Sequence, residues 1–189
     1  MKILTVIPLY NKSKTVARAI ESVLHQDESS CDILVIDDGS TDTSYAIAEA
    51  IKSDRINLHR QENRGVSFTR NLGIKKAMEQ GYDYIAFLDA DDYWLPNHLN
   101  QIKAAISTFP STDIYACNYK IKVGKLQFQK TKFSNIGNDD IFEVKPFFEY
   151  NYLNSILSSS SYCMALKDEP IHFNKDISHT EDTDFMIRA

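Results

Sequence analysis

The residues with the most chemistry in them are Asp89, Asp91 and Asp92, in the stretch Phe87-Leu88-Asp89-Ala90-Asp91-Asp92-Tyr93-Trp94. An apolar run, Tyr84-Ile85-Ala86-Phe87-Leu88, stops abruptly in these three carboxylates, the pattern of a buried strand that delivers acids to a rim. Neighbouring carboxylates repel one another unless a cation neutralises them. Hard oxygen ligands suit Mg²⁺ or Mn²⁺, and such ions commonly bridge a protein carboxylate to a substrate's phosphates. A solvated Asp-rich turn is the plainer alternative, because Asp hydrogen-bonds readily to its own turn backbone. Two further polar clusters have the same placement: Tyr10-Asn11 after the apolar run 3–7, and Asp37-Asp38 after the run 33–36.

The elements that must position these acids alternate along the chain. A strand over 3–7 closes at Pro8, and Ser13 is a plausible cap for a helix carrying Val16, Ala17, Ile20, Val23 and Leu24 at helical spacing. A second strand, 33–36, runs into Asp37-Asp38-Gly39-Ser40. Thr41 or Asp42 can cap a second helix with Ala46, Ile47, Ala50 and Ile51 on its apolar face. A short third strand lies at 56–59. A third helix over 65–78 would bury Phe68, Leu72, Ile74 and Ala77, with Gly81 ending it. The fourth strand is 84–88, and a fourth helix spans 95–109 with Pro96 in its first turn.

Strands alternating with helices, and strands apolar throughout rather than alternately, predict an α/β fold with a mostly parallel sheet covered on both faces. In such a sheet, ligands bind outside the carboxyl ends of the strands, where the three polar clusters would converge. No glycine-rich phosphate cradle follows the first strand, so the site is expected to hold a nucleotide through carboxylates and a metal. Asp37 or Asp38 is suited to accept N–H or O–H groups from a base or ribose. After Pro110 the texture changes. A strand over 113–123, a turn at Gly124 and a strand over 125–133 form a hairpin bearing Lys120, Lys122, Lys125, Lys130 and Lys132, with an aromatic-rich helix expected over 142–157. Ser158 to Ser161 read as a loop, 162–166 as a short strand, and Thr180 as the start of a helix that the chain cuts off after two turns, the mark of a truncated chain.

The totals bound the function classes. The chain has 189 residues, 43% hydrophobic and 25% charged, with a net charge of −5. That fits one globular domain and gives no global basic field for nucleic acid. Cys31, Cys117 and Cys163 are few and scattered, the usage of reduced thiols in a cytoplasmic chain rather than of a disulfide framework or zinc site. No run approaches membrane-spanning length.

Five motifs then occur in order: Ile7-Pro8-Leu9-Tyr10-Asn11; Val35-Ile36-Asp37-Asp38-Gly39-Ser40-Thr41-Asp42; Asn63-Arg64-Gly65 with Arg70-Asn71; Leu88-Asp89-Ala90-Asp91-Asp92; and Glu181-Asp182. Together they resemble inverting glycosyltransferase family 2, whose members have the GT-A fold and use nucleotide-activated sugars. The resemblance is specific in the first half and loose over 113–178. It implies one GT-A domain, with 1–112 as the nucleotide-sugar-binding half and 113–189 as an acceptor-side half incomplete at its end. It implies that Pro8, Tyr10 and Asp38 line the base pocket, with Asp37 supporting that loop, Asp89 near the ribose and Arg70 near the nucleotide. It implies Asp91 as the ligand of Mn²⁺ or Mg²⁺ on the diphosphate, and Asp182 as the general base on the acceptor hydroxyl. The implied donor is a nucleoside diphosphate sugar, with UDP expected. The implied acceptor is a saccharide or glycolipid, and the place is the cytoplasm or the inner face of the membrane. By its charge the lysine-rich hairpin could meet an anionic acceptor or lipid surface, but a solvated hairpin is the favoured reading.

Structural readings stand beside these. Asp38 could cap the turn at Gly39, and Asp92 could complement the dipole of the fourth helix. Trp94 is expected to pack at the rim and His98 to lie on the surface, and a role for His179 as a ligand or support beside Asp182 is only the minor reading. Asp184 could act as a first-turn helix acid, and Cys163 as a small core residue. The alternatives for the whole chain are a nucleotide-sugar-binding fragment inactive without its acceptor side, or a nucleotidyltransferase, whose glycine-rich basic loop after strand one is absent here.

Overall fold

The computed structural model describes residues 1–27, 31–117, 120–123, 126–129, 158–168, 170–177 and 181–188. Four strands, β1 (Ile3–Leu9), β2 (Cys31–Asp38), β3 (Ile56–Gln61) and β4 (Tyr84–Phe87), alternate with the helices α1 (Val16–Leu24), α2 (Ser44–Ala50) and α3 (Val66–Glu79). Then come α4 (His98–Thr108), β5 (Ile114–Ala116), a hairpin of β6 (Lys120–Val123) and β7 (Leu126–Gln129), β8 (Tyr162–Ala165) and α5 (Glu181–Arg188). The main sheet has six strands in the order β3-β2-β1-β4-β8-β5. The first four pair in parallel, and β8 inserts antiparallel to both β4 and β5. A strand from the second half of the chain is thus an interior member of the sheet.

The sheet carries helices on both faces, as the apolar strands require. Ile3, Ile7, Leu9, Ile33 and Val35 face Val16, Ile20 and Val23 of α1 and Leu99, Ile102 and Ile106 of α4. Leu4, Val6, Leu34, Ile36, Ile85 and Phe87 face Ile74 and Ala77 of α3, Phe173 and Phe185 of α5. Gly73 sets the closeness of α3 to the sheet: a Cβ there would lie 2.7 Å from Val6 Cγ1.

Several expectations shift. Ala46 and Ala50 of α2 are exposed, and Ser44 and Ala48 are buried in their place. Ser13 does not cap α1, which starts after Thr15 without a side-chain cap bond, and ahead of α2 it is Asp42 rather than Thr41 that accepts from the backbone N–H and hydroxyl of Ser44, bonds that draw its pKa down to about 2. On α3, Phe68 and Leu72 are only partly buried, whereas Ser67, Thr69, Arg70 and Asn71 are buried. Helix α4 starts at His98, because the side chain of Gln26 accepts from Leu99 N–H and residues 95–98 form a turn. Asp92 therefore stands six residues ahead of the helix and is no partner for its dipole. His98 is buried, stacked on Trp94 at 4.2 Å between ring centroids, and burial pushes its pKa down to about 4. Cys163 is a buried core residue, as expected. The expected helix 142–157, Lys125, Lys130, Lys132, His179 and Thr180 lie outside the described residues. No helix among the described residues is long and apolar enough to cross a membrane.

Candidate functional site

The carboxyl ends of β1, β2 and β4 meet on one rim, as parallel neighbours must. Tyr10, just past β1, is 47% exposed and stands open beside the partly buried Pro8. Asn11 follows with a positive φ of 51°, a conformation that Asn tolerates better than most residues. The strain has a use. Its Oδ1 accepts from Thr41 N–H at 2.9 Å and Asp42 N–H at 3.3 Å, and its own N–H donates to Ser40 Oγ, so the rims of β1 and β2 are stitched together.

Asp37 and Asp38 end β2 and both are buried. Asp37 caps the turn, accepting from Ser40 N–H at 3.3 Å, and its second oxygen lies 3.1 Å from Arg60 Nε. Asp38 reaches across to the loop before α3. It accepts from Arg64 N–H at 2.9 Å, Gly65 N–H at 2.8 Å and Gln61 Nε2 at 2.7 Å. The turn at Gly39 is capped by Asp37, so the structural role suggested for Asp38 falls to its neighbour. Gly39 itself has φ 73°, and a Cβ there would meet Asn63 N at 2.8 Å, which keeps the two loops in contact.

On the β4 side, Asp89 and Asp182 converge on Arg70. The guanidinium, 2% exposed, donates to Asp89 Oδ1 and Asp182 Oδ1, both at 2.8 Å, to Glu181 Oε1 at 3.2 Å and to Ser159 Oγ at 3.1 Å. Burial opposes its charge, but Asp89 and Asp182 outweigh that and its pKa rises above the ordinary arginine range. For Asp182 the balance goes the other way. Desolvation raises its pKa, with Asp89 and Glu181 adding to the effect and Arg70 opposing it, to about 6. A carboxylate with that pKa is still mostly ionised at neutral pH and can take up a proton near it.

Asp91 and Asp92 stay exposed at the rim. Asp91 Oδ2 lies 2.5 Å from Lys12 Nζ, and its backbone carbonyl accepts from Arg18 at 2.6 Å. Among the described residues, no three His, Cys, Asp or Glu side chains are grouped to hold a metal by themselves. One accessible carboxylate at a rim fits an ion that takes its remaining ligands from a diphosphate and water.

The structure places Pro8, Tyr10, Asp37 and Asp38 along the β1–β2 rim, Arg70, Asp89 and Asp182 around the β4 rim, and Asp91 exposed just beyond it. The residues missed are Lys12, which faces Asp91, and the serine run. Ser159 Oγ donates to Asp89 Oδ2 at 2.7 Å, Ser160 Oγ accepts from Asp89 N–H at 2.9 Å, and Ser160 C=O accepts from Trp94 Nε1 at 2.7 Å. Four consecutive serines in front of a strand were the signal, but a serine run reads equally well as solvated loop.

A family model described as glycosyl transferase family 2 matches residues 5–170. An uncharacterized glycosyltransferase of Nostoc is 34% identical over 126 residues, covering 65% of this chain and 37% of the relative. A putative glycosyltransferase EpsH of Bacillus subtilis is 33% identical over 115 residues, covering 60% and 32%. Among solved structures, S. aureus TarS 1-349 superposes with a TM-score of 0.79 at 23% identity, over 100% of this chain and 55% of that one. The mannosyltransferase PcManGT of Pyrobaculum calidifontis, solved with GDP-Man and Mn²⁺, superposes with a TM-score of 0.64 at 18% identity, over 97% and 51%. This chain thus spans about a third of those two relatives and about half of the solved chains. The fold is the GT-A fold of these neighbours, and the chain belongs to glycosyl transferase family 2.

Proposed function

We propose that this chain moves a sugar from a nucleoside diphosphate sugar, a UDP-sugar, to an acceptor hydroxyl with inversion, in the synthesis of a surface polysaccharide or glycolipid. The carrying observation is the convergence of the donor-side Asp89 and the distant Asp182 on a single buried arginine. The UDP reading is supported by TarS, solved with UDP and with UDP-GlcNAc at the same TM-score of 0.79. The polysaccharide reading is supported by a 36% identity over 103 residues to a minor teichoic acid biosynthesis protein of Bacillus subtilis, GgaA, of which this chain covers 23%.

In this reading Tyr10 offers its exposed ring to the base and Pro8 forms the pocket wall. A carboxylate has about four acceptor positions, and Asp38 uses three on its loop, leaving one on Oδ2 for a base N–H. Asp37 holds the turn beneath it, and Asp89 lies toward the ribose. Asp91 would hold Mn²⁺ or Mg²⁺, which when bound supplies charge neutralisation for the departing diphosphate. Lys12, paired with Asp91 at the exposed rim, adds a second positive charge on that side. Inversion is one in-line displacement, so the base must lie on the acceptor side. Asp182 takes the acceptor's proton there, and its environment makes it a stronger base than an ordinary aspartate. The acceptor is a saccharide or glycolipid, met in the cytoplasm at the inner face of the membrane.

The test is thermal shift with UDP in Mn²⁺ and in EDTA. Binding to the native state raises the melting temperature by mass action, by RT ln(1 + [L]/Kd). The expected outcome is a shift with Mn²⁺ that EDTA removes and that Asp91→Asn abolishes. An equal shift in EDTA would overturn the metal bridge, and a shift retained by Asp91→Asn would overturn the ligand.

A further inference from the structure

The serine, arginine and phenylalanine contacts behind Asp182 form a second layer under the site. Arg70 lies over the face of Phe173, with its guanidinium carbon 5.1 Å from the ring centroid. Phe173 in turn stacks on Phe185 of α5 at 4.1 Å and 9°, three residues after Asp182. The segment carrying Phe173 is pinned by Asn71, which donates to its carbonyl at 2.8 Å and accepts from its N–H at 2.7 Å. The dipeptide Arg70-Asn71 therefore fixes Asp182 twice: Arg70 through its carboxylate, and Asn71 through the ring stack that seats its helix. Arg70 Nε has no hydrogen-bond partner among the described residues, and the bonds of its two terminal nitrogens go to the acids and Ser159.

We infer that Arg70 is the positioning residue for the base, holding Asp182 and the donor-side Asp89 in one rigid fork so that the base is aimed by the same group that lines the donor pocket. This rests on the reading of Asp182 as the base. The groups that face Asp182 are Arg70 from α3, Asp89 from the β4 rim, Glu181 from its own helix and the buried Tyr162 from β8. Arg70 is the one cation among them, set against three carboxylates. Two ends of a planar fork are needed to hold Asp89 and Asp182 together, and a lysine ammonium, a point charge on a flexible stem, does not reproduce that.

The experiment is a ¹³C NMR titration of the Asp182 carboxyl in the intact chain, its resonance assigned by loss in Asp182→Asn, for the native protein, Arg70→Lys and Arg70→Gln. Nucleotide affinity and transfer kinetics are measured alongside. The native midpoint is expected at about 6. Arg70→Gln should move it upward by about one unit or more, because a nearby opposite charge is removed. Arg70→Lys should move it less, yet lower kcat about 10²-fold with donor KM changed only a few-fold, the cost of about an ångström of misplacement. If Arg70→Gln does not fold, Arg70→Lys carries the test. An unmoved midpoint, full kcat in Arg70→Lys, or a loss confined to donor KM would each overturn the inference. Normal transfer by Asp182→Asn would instead strike the base assignment, so the two failures are separable.

Discussion

Two ends of one sheet present acids to the same rim and hold them by different means. Asp37 and Asp38 at the end of β2 are satisfied mainly by N–H donors of neighbouring loops. Asp89 and Asp182 on the β4 side are held by one guanidinium that serves both. The first arrangement is architectural: a carboxylate that accepts several backbone N–H groups fixes loop shape. The second is electrostatic: burial raises the pKa of Asp182, and one cation shared among three carboxylates does not offset it. Residues of one chemical type thus acquire different tasks from their partners alone.

The largest effect that would break this contrast is on Asp182. Asp182→Asn should lower transfer about 10²- to 10⁴-fold, the usual loss for a positioned general base, with UDP affinity changed only a few-fold. The readout is product formation at saturating donor and acceptor, in a chain shown to turn over. Near-normal transfer would move the role to Glu181 or Asp184.

The next effect belongs to the architectural pair. Asp38→Ala strips acceptors from Arg64 N–H, Gly65 N–H and Gln61, and should cost about 2–4 kcal/mol, since charge-assisted bonds are worth about 1.5–3 each and the orphaned donors are partly re-solvated. Urea denaturation measures it. A loss of nucleotide binding with unchanged stability would show that Asp38 is a ligand group alone.

The smallest effect sharpens the comparison from outside. Lys12 and Asp91 form an ion pair in which both side chains are nearly half exposed. Such pairs contribute about 0–1 kcal/mol, so Lys12→Ala should leave the denaturation midpoint almost unmoved. Weaker UDP binding in the same variant would place Lys12 on the diphosphate.

Much of this was legible in the chain itself. The strands β1 to β4 were expected within a few residues of their observed bounds, because continuous apolar runs ending in polar residues leave few other readings. The corrections come from contacts that hydrophobic spacing does not show, most of them between distant segments. His98 reads as surface from helical spacing, but Trp94 stacks on it and closes it from water. The start of α4 is set by Gln26, just past the end of α1 and 73 residues before Leu99. Helix α3 turns a polar stripe inward because Arg70 meets Asp89 and Asp182, and Asn71 meets Phe173. Propensity and periodicity carry no signal for such pairings, since each is decided by where other elements dock.

By itself the sequence determined which residues were acids at strand ends, that the strands were buried on both faces, and that the order of motifs is that of glycosyl transferase family 2. Only the tertiary structure decided that β8 enters the sheet against the direction of its neighbours, that the serine run returns to Asp89, and that Arg70 joins Asp89 to Asp182. The physical reason is range. Burial and backbone geometry are properties of a short window, whereas the ionisation of a carboxylate depends on charges within a few ångströms in space, wherever along the chain they began.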